Sequence, residues 1–263
     1  MNLQSAAPAK DTRSVPLLNA TLIKSVPLSS KAHHLTFRVE SEEPLEFLPG
    51  QSIRVEVPIG ESGSSMPFPY SIASAPREDN CFELCLRRGN KGSAAARLCE
   101  LNEGMQVRST RPRGVFVLQQ PAGDAVFLAA GTGIAPIRSM LHWLLNKSDR
   151  YQNDGNESNR NYGPKIWLIF GARDTESLFF DHEFRHLARQ NPNFHYLPTL
   201  SRPQANWNGA CGYVQDHLEH LPLSAETIHA YLCGPEAMIS STRKALDQHG
   251  WPDDLVHYDR HDS

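Results

Sequence analysis

Two short runs hold residues whose types and spacing could do chemistry. Gly131-Thr-Gly-Ile-Ala-Pro136 directly follows the apolar run Val126–Ala130 and opens a helical pattern. Glycines at a strand-to-helix turn leave backbone amides bare, and the positive end of the following helix adds potential, so a pyrophosphate could sit there. A tight turn needs the same glycines with no ligand at all, and both readings stand for this motif alone. Pro136 lies in the first helical turn, where its missing N–H costs nothing. The second run, His182-Glu-Phe-Arg-His186, fits the zinc-hydrolase pattern of two imidazoles on one helical face. Against that, Phe180, Phe184 and Leu187 form an apolar stripe that should face a sheet, which turns the histidines to its margin or outward. A solvated face is the stronger reading, and no metal site is expected.

The elements that must position these residues change period midway. Thr21–Val26, His34–Val39, Ser52–Val57, Tyr70–Ala73 and Cys81–Arg88 are short, alternating or β-branched runs between Pro, Gly and Ser clusters, the rhythm of an antiparallel β-barrel. One helix interrupts them over Ser93–Leu101, with Ser93 as N-cap and Gly104 beyond its end, and strand-like segments from Met105 to Leu118 close the half. After Pro121, strands over Val126–Ala130, Lys165–Phe170, Asn193–Leu197 and Ile228–Cys233 alternate with helices over Ile134–Leu145, Phe180–Gln190, Tyr213–His220 and Glu236–His249. Repeated βα units predict an α/β doubly wound parallel sheet with ligands at the carboxyl ends of its strands. The expected organisation is a flexible segment at 1–14, a barrel over 15–118 and an α/β domain over 119–263, with Asn146–Gly163 a solvated loop.

A chain of 263 residues can bury two such cores, and a formal net charge of -3 gives no general pull toward nucleic acid or anionic membrane. Met1–Val15 has no apolar h-region and no run of 18 apolar residues occurs, so the expected location is cytoplasmic. Five cysteines, Cys81, Cys85, Cys99, Cys211 and Cys233, read as free thiols, and none has the spacing that would hold an iron–sulfur cluster.

Several motifs together resemble the ferredoxin–NADP reductase superfamily from about Leu18 onward. Gly131–Pro136 is similar to the Gly-Thr-Gly-x-Ala-Pro turn of its nucleotide domain, and Phe68-Pro-Tyr-Ser-Ile-Ala-Ser74 to its Arg-x-Tyr-Ser flavin segment. Gly92-Ser93 resembles its phosphate turn, Arg111–Phe116 the segment ending its barrel, and Leu232–Met238 its Cys-Gly-Pro motif. The resemblance implies a flavoprotein reductase with a flavin-binding barrel and an NAD(P)-binding domain. FAD, or alternatively FMN, would be reduced by NADPH or NADH. Its electrons would pass to a ferredoxin, an oxygenase component or free flavin.

The resemblance also assigns residues. Pro69, Tyr70, Ser71, Ser74, Leu86, Arg87, Arg88, Lys91, Gly92 and Ser93 would hold the flavin, with Tyr70 flat against its ring and Ser71 at the edge where hydride arrives. Gly131, Thr132, Gly133, Pro136, Arg173, Ser201, Arg202, Cys233, Gly234 and Pro235 would hold the dinucleotide, arginine suiting a 2′-phosphate. Ser71, Cys233 and Asp259 are the candidate catalytic residues. Catalysis would be mainly positioning, with no nucleophilic role for the thiol. For each pair a plainer reading exists: Tyr70-Ser71 as barrel packing, Ser93 as an ordinary cap, Cys233 as a core thiol.

Two departures from the family pattern stand out. His261 occupies the place of an aromatic that covers the flavin, and imidazole is smaller and can be charged. Phe68 stands where the family supplies an arginine to the flavin phosphate; Arg87, Arg88 and Lys91 are the candidate replacements. Phe68 motivates a rival reading from another class, a non-turnover electron-transfer subunit or a nucleotide-binding module with a degenerate flavin site.

Overall fold

The computed structural model describes residues 17–59, 64–120, 123–151, 164–221, 225 and 227–261. The segment expected to be flexible, 1–14, lies outside them.

The first half forms six antiparallel strands, β1 (Leu18–Ser29), β2 (Ala32–Val39), β3 (Ser52–Ile59), β4 (Ser64–Ser71), β5 (Cys81–Arg87) and β6 (Gln106–Ser109), in the order β4-β3-β6-β1-β2-β5. Its two edges meet just beyond Ser71. Ile72 bridges Leu84, and the Ala73 N–H donates to the Glu83 carbonyl at 2.7 Å, which turns the sheet into a barrel. Alternation sends Leu35, Phe37, Val39, Ile53, Val55 and Val57 inward, where Phe37 stacks on Phe82 at 5.4 Å. Helix α1 (Ala94–Cys99) sits between β5 and β6, its N-cap Ser93 accepting from the Ala96 N–H as expected.

The strand-like reading of Met105–Leu118 holds only over Gln106–Ser109. Pro112 has no N–H to give a ladder and Gly114 takes φ +131, so the chain leaves the sheet after hydrogen bonds of Thr110 with Arg54 and a bridge of Arg113 with Ser52.

The second half is a parallel sheet in the order β10-β9-β8-β7-β11-β12: β7 (Ala125–Ala130), β8 (Ile166–Ala172), β9 (Phe194–Leu200), β10 (Ala210–Cys211), β11 (His229–Gly234) and β12 (Val256–Arg260). Both faces of β7 are apolar. Phe127 and Ala129 pack with α2 (Ile134–Tyr151) and α3 (Asp181–Gln190), while Val126 and Leu128 pack with α4 (Glu236–Gln248) and the turn Val214–His220. The sheet is therefore covered on both sides, the doubly wound arrangement expected. Three local expectations are corrected. The helix after Gly133 runs on to Tyr151 rather than ending at Leu145, because Asn146–Tyr151 holds no glycine or proline to stop it. The rest of the expected loop, 152–163, lies outside the described residues. Tyr213–His220 is a 3₁₀ stretch beginning at Val214, and β12 is an edge strand that its polar residues concealed. No helix among the described residues is long and apolar enough to cross a membrane.

Strand β5 is buried along Cys81–Leu86 because it serves two cores at once. Phe82, Leu84 and Leu86 fill the barrel, while Cys85 joins the apolar cluster around α2 and Glu83 presents a carboxylate to it. Arg138 of α2 answers that charge. Its Nη1 donates to Glu83 at 2.7 Å and to the Ala73 carbonyl at 2.8 Å, its Nε and Nη2 grip Glu183 at 2.7 and 3.0 Å, and its guanidinium lies 4.6 Å over the Phe180 ring. His34 and Arg77 also reach Glu83, His142 reaches Glu183, and Ser139 Oγ donates to the Ser74 carbonyl.

Burial opposes ionisation of Glu83 and Glu183, but the histidine hydrogen bonds and the Arg138 charge outweigh it and hold both carboxyls below the usual carboxylate range. A depressed folded-state value means stability that is present above the unfolded value of 4.5 and is lost as pH falls below it. Acid titration of stability should therefore show a steep loss below about pH 4.5, and Glu83→Gln should flatten that limb. Arg138→Ala, which removes the shared guanidinium and leaves Glu83 to Arg77 and His34 and Glu183 to His142, should cost about 3 kcal/mol, the low end for a broken buried ion pair, in denaturant unfolding at neutral pH. A loss under 1 kcal/mol would show that this bridge does not hold the halves together.

Candidate active site

Because all strands of the second sheet run parallel, their carboxyl ends line one edge, and the residues singled out in the sequence come after them. Strand β7 feeds the 3₁₀ turn Gly131–Gly133 and then α2. Gly131 takes φ +58 with nothing within 4 Å of where a Cβ would stand, so its outer side is bare. Gly133 is the opposite case: a Cβ there would lie 2.2 Å from the Cys233 carbonyl oxygen, and only glycine lets the turn lean on β11. Pro136 is buried in the first turn of α2.

Beyond β8 and β9, the Ser201 N–H donates to the Ala172 carbonyl at 2.9 Å and the Arg202 N–H to the Arg173 carbonyl at 3.0 Å. These bonds set Arg173 and Arg202 side by side on the surface, and neither has an ion pair among the described residues. Gly234 abuts Met238 and Ala130, and Pro235 caps α4 in extended geometry.

A cleft of about 970 Å³ opens where this edge meets the barrel. The predicted residues Pro69, Tyr70, Ser71, Leu86, Arg87, Arg88, Ser93, Thr132, Asp259 and His261 line it. Thr132 links the two halves of the set, since it belongs to the nucleotide turn yet faces the barrel's cleft. Cys233 pairs with Asp259 in the β11–β12 ladder, and Ser71 Oγ lies 2.8 Å from His261 Nε2. Cys233 is buried behind them. Burial, together with the Asp259 charge, pushes its thiol well above the usual range, so it is neutral at physiological pH. Burial, helped by nearby Cys99, likewise raises the Tyr70 phenol to about 12. The centre of the cleft thus offers a neutral ring, a hydroxyl and an imidazole, backed by a buried neutral thiol, a set suited to packing planar rings and guiding hydride rather than to nucleophilic attack.

The phosphate end is built differently from expectation. Gly92 takes φ +84 with open space around it, and the first-turn amides of Ala94 and Ala95, which line the cleft, have no intrahelical acceptor. Ser93 caps α1, so the capping and ligand readings coexist there. Arg88 shares its guanidinium with Glu100 at 2.9 Å, Arg87 is exposed in the wall, and Lys91 does not line the cleft. The residue that sequence reasoning missed is Lys31, in the β1–β2 turn, whose carbonyl accepts from the Arg88 N–H at 2.8 Å. Nothing local to Lys31 signals this, because only the β2–β5 pairing brings it beside Arg88. Arg260, on the neglected edge strand, was missed for a similar reason.

Ser74 is not brought to the cleft: it is buried, its Oγ accepts from the Glu83 N–H, and its carbonyl accepts from Ser139. In α3, His182 and His186 are both exposed, while Glu183 between them is committed to Arg138 and His142. The zinc-hydrolase reading of that helix fails on this geometry.

Residues 19–118 match the oxidoreductase FAD-binding domain family and residues 127–244 the oxidoreductase NAD-binding domain family. Over 92% of its length the chain is 31% identical to ferredoxin–NADP reductase B of Sorangium cellulosum (strain So ce56), of which it covers 97%. Over 80% of its length it is 32% identical to the phenol hydroxylase P5 protein of Acinetobacter pittii (strain PHEA-2), but it spans only 56% of that protein. Among solved structures, the flavohem-like FAD/NAD binding domain of nitric oxide dioxygenase from Vibrio cholerae O1 biovar El Tor superposes with a TM-score of 0.80 at 20% identity, covering 93% of this chain and 98% of that one.

The contrast between the two glycines of the turn is testable. Gly131→Ala meets only left-handed strain, about 1–2 kcal/mol, whereas Gly133→Ala has no such strain but must part the turn from the β11 backbone, an overpacking cost at or above the top of the usual ~1–3 kcal/mol. Denaturant unfolding and dinucleotide titration should both show Gly133→Ala as the more damaging change; equal effects would mean that the close approach to Cys233 is not limiting.

Proposed function

The chain belongs to the ferredoxin–NADP reductase superfamily and is an NAD(P)H-dependent flavin oxidoreductase with FAD as its flavin, and on that premise we propose that it serves a separate one-electron carrier, a ferredoxin. The observation that carries this reading is the meeting on one cleft of Ser71 from the barrel with Thr132, Asp259 and His261 from the parallel-sheet half, with the buried Cys233 directly behind Asp259 and His261. When bound, flavin supplies the chemistry of accepting hydride from nicotinamide and releasing electrons one at a time. Tyr70 would carry the flavin ring, Ser71 would face its reacting edge, and the neutral Cys233 thiol would give nicotinamide a soft wall without competing as a nucleophile. Closing the cleft with rings excludes water from the transfer.

Support for a ferredoxin comes from the relative that the chain covers almost end to end, itself named a ferredoxin–NADP reductase. The sequence has no cluster-binding cysteine spacing, so the one-electron centre would be supplied from outside it. An oxygenase component is the next candidate acceptor, since 80% of the chain is 32% identical to the phenol hydroxylase P5 protein. Phe68 favours one further reading, reduction of free flavin, because a cleft without an arginine at that position holds the phosphate less firmly. Arg173, Ser201 and Arg202 favour NADPH over NADH through the 2′-phosphate.

The purified protein, mixed without oxygen with NADPH and then NADH, should bleach its flavin bands faster with NADPH and pass electrons to added ferredoxin. Rapid reduction with no transfer to ferredoxin, but with turnover of added flavin, would replace this reading with the free-flavin one. Ser71→Ala should retain flavin while slowing its reduction roughly tenfold, a barrier increase of about 1.4 kcal/mol; unchanged stopped-flow reduction would remove Ser71 from the transfer. Arg202→Gln should weaken NADPH binding by about 1.5–3 kcal/mol and leave NADH nearly unaffected, and equal losses for both would remove the 2′-phosphate contact.

A further inference from the structure

Three side chains at the proposed meeting point of the two cofactor rings also form a donor set of their own. Cys233 Sγ, a carboxylate oxygen of Asp259 and a ring nitrogen of His261 lie within 4.8 Å of one another, and His261 Nε2 is 3.8 Å from Asp259 Oδ2. A tetrahedral ion bonded at about 2.3 Å to sulfur and about 2.0–2.2 Å to nitrogen and oxygen spaces its ligands roughly 3–4 Å apart, so small side-chain rotations complete the set. The backbone that carries it is rigid. Cys233 and Asp259 are ladder partners, and the His261 N–H donates to the Gly234 carbonyl at 3.0 Å. Asp259 and His261 face the cleft and give an ion its way in, while Ser71 Oγ stands at the open side.

We propose that Cys233, Asp259 and His261 form an inhibitory site for a borderline divalent cation, Zn²⁺, at the point where the two halves meet. One sulfur, one imidazole and one carboxylate with a fourth position open suit Zn²⁺, whereas Mg²⁺ and Ca²⁺ demand oxygen donors. Binding exchanges the thiol proton for the metal, releasing that proton to solvent with no change of oxidation state. The ion would sit among Cys233, Asp259 and His261, against the position proposed for the nicotinamide, so metal and dinucleotide exclude each other. His261 makes the set possible, because an aromatic hydrocarbon at that place would leave two donors. Metal binding stands apart from the proposed electron transfer; only the inhibition rests on it.

The test uses the full-length, flavin-loaded protein, with ZnCl₂ titrated against a chromophoric chelator and X-ray absorption recorded at the zinc edge. One site with a single sulfur neighbour is expected, weakened at least about 100-fold by Cys233→Ser or His261→Phe, beyond the 10–100-fold typical of lost outer-shell partners. His182→Gln/His186→Gln, which removes the exposed histidine pair of α3, should leave it intact. NADP⁺ affinity should fall as zinc saturates. Zinc lost with the α3 pair, or zinc with no sulfur neighbour in the unsubstituted protein, would overturn the site, and simultaneous tight binding of NADP⁺ and zinc would overturn its inhibitory role. A protein that binds zinc through Cys233 yet never reduces its flavin would sink the electron-transfer reading and leave the metal site standing.

Discussion

Arg138 donates to four acceptors on three elements, the Ala73 carbonyl, Glu83 of β5 and both carboxylate oxygens of Glu183 on α3. It does so almost out of water, with an aromatic ring over its guanidinium plane. A lone buried charge of either sign would be costly there, so Arg138 and its two carboxylates are held as one network, which Arg77 and His34 extend at Glu83 and His142 at Glu183. Such a set adds little net stability compared with apolar packing of the same volume. What it adds is geometry, because a guanidinium fork and two carboxylates have few ways to satisfy one another. The barrel and the parallel sheet could slide across an apolar contact, but they cannot slide across this one without stranding a charge.

The consequence for the site is a short mechanical path. Ser71 precedes Ala73 by two residues along the strand end, and Arg138 follows the Gly131–Gly133 turn by little more than one helical turn. The Arg138–Ala73 hydrogen bond therefore ties the segment holding Ser71 to the helix that the glycine turn begins, and Gly133 rests directly on the Cys233 carbonyl. Hydroxyl and thiol come from different sheets, yet each is within a few bonds of the same fixed contact. Transfer between two planar rings depends on distance and overlap, so a rigid seam between the modules that hold them does more for rate than any acid or base could.

Much of this was legible in the sequence because the signals are local. The Gly131–Pro136 turn, the Ser93 cap, the alternating barrel strands and the buried strand before Cys233 each depend on residues within one element, and each formed as read. What stayed hidden depends on pairing between distant segments. Glu83 looks like an outward-facing strand residue until α2 is laid against β5, and Arg138 looks like a solvated helix position. Lys31 enters the cleft only through the β2–β5 register, and β12 is too short and too polar for periodicity to reveal. Ser74 misled for the same reason: its place in a flavin-like segment predicted a ligand contact, but the barrel's closing bridge turns it toward α2. A motif read from sequence carries the chemistry of its residues, and neighbours decide which of them face the ligand.

Without an arginine at position 68, a flavin in this cleft would be held differently. A guanidinium fixed on a strand beside the phosphate offers paired, charge-assisted bonds of about 1.5–3 kcal/mol each. Here the nearby cations are Lys31, Arg87 and Arg88, exposed on a turn and a strand end, with Arg88 already shared with Glu100. Exposed, salt-screened charges of that kind contribute about 0–1 kcal/mol apiece. The difference shifts the weight of binding from the phosphate end to the ring end, where Tyr70 and the buried wall around Leu86 offer stacking and apolar contact that salt does not weaken. A flavin held this way would be anchored by its ring and looser at its phosphates, the reverse of a site organised around an arginine.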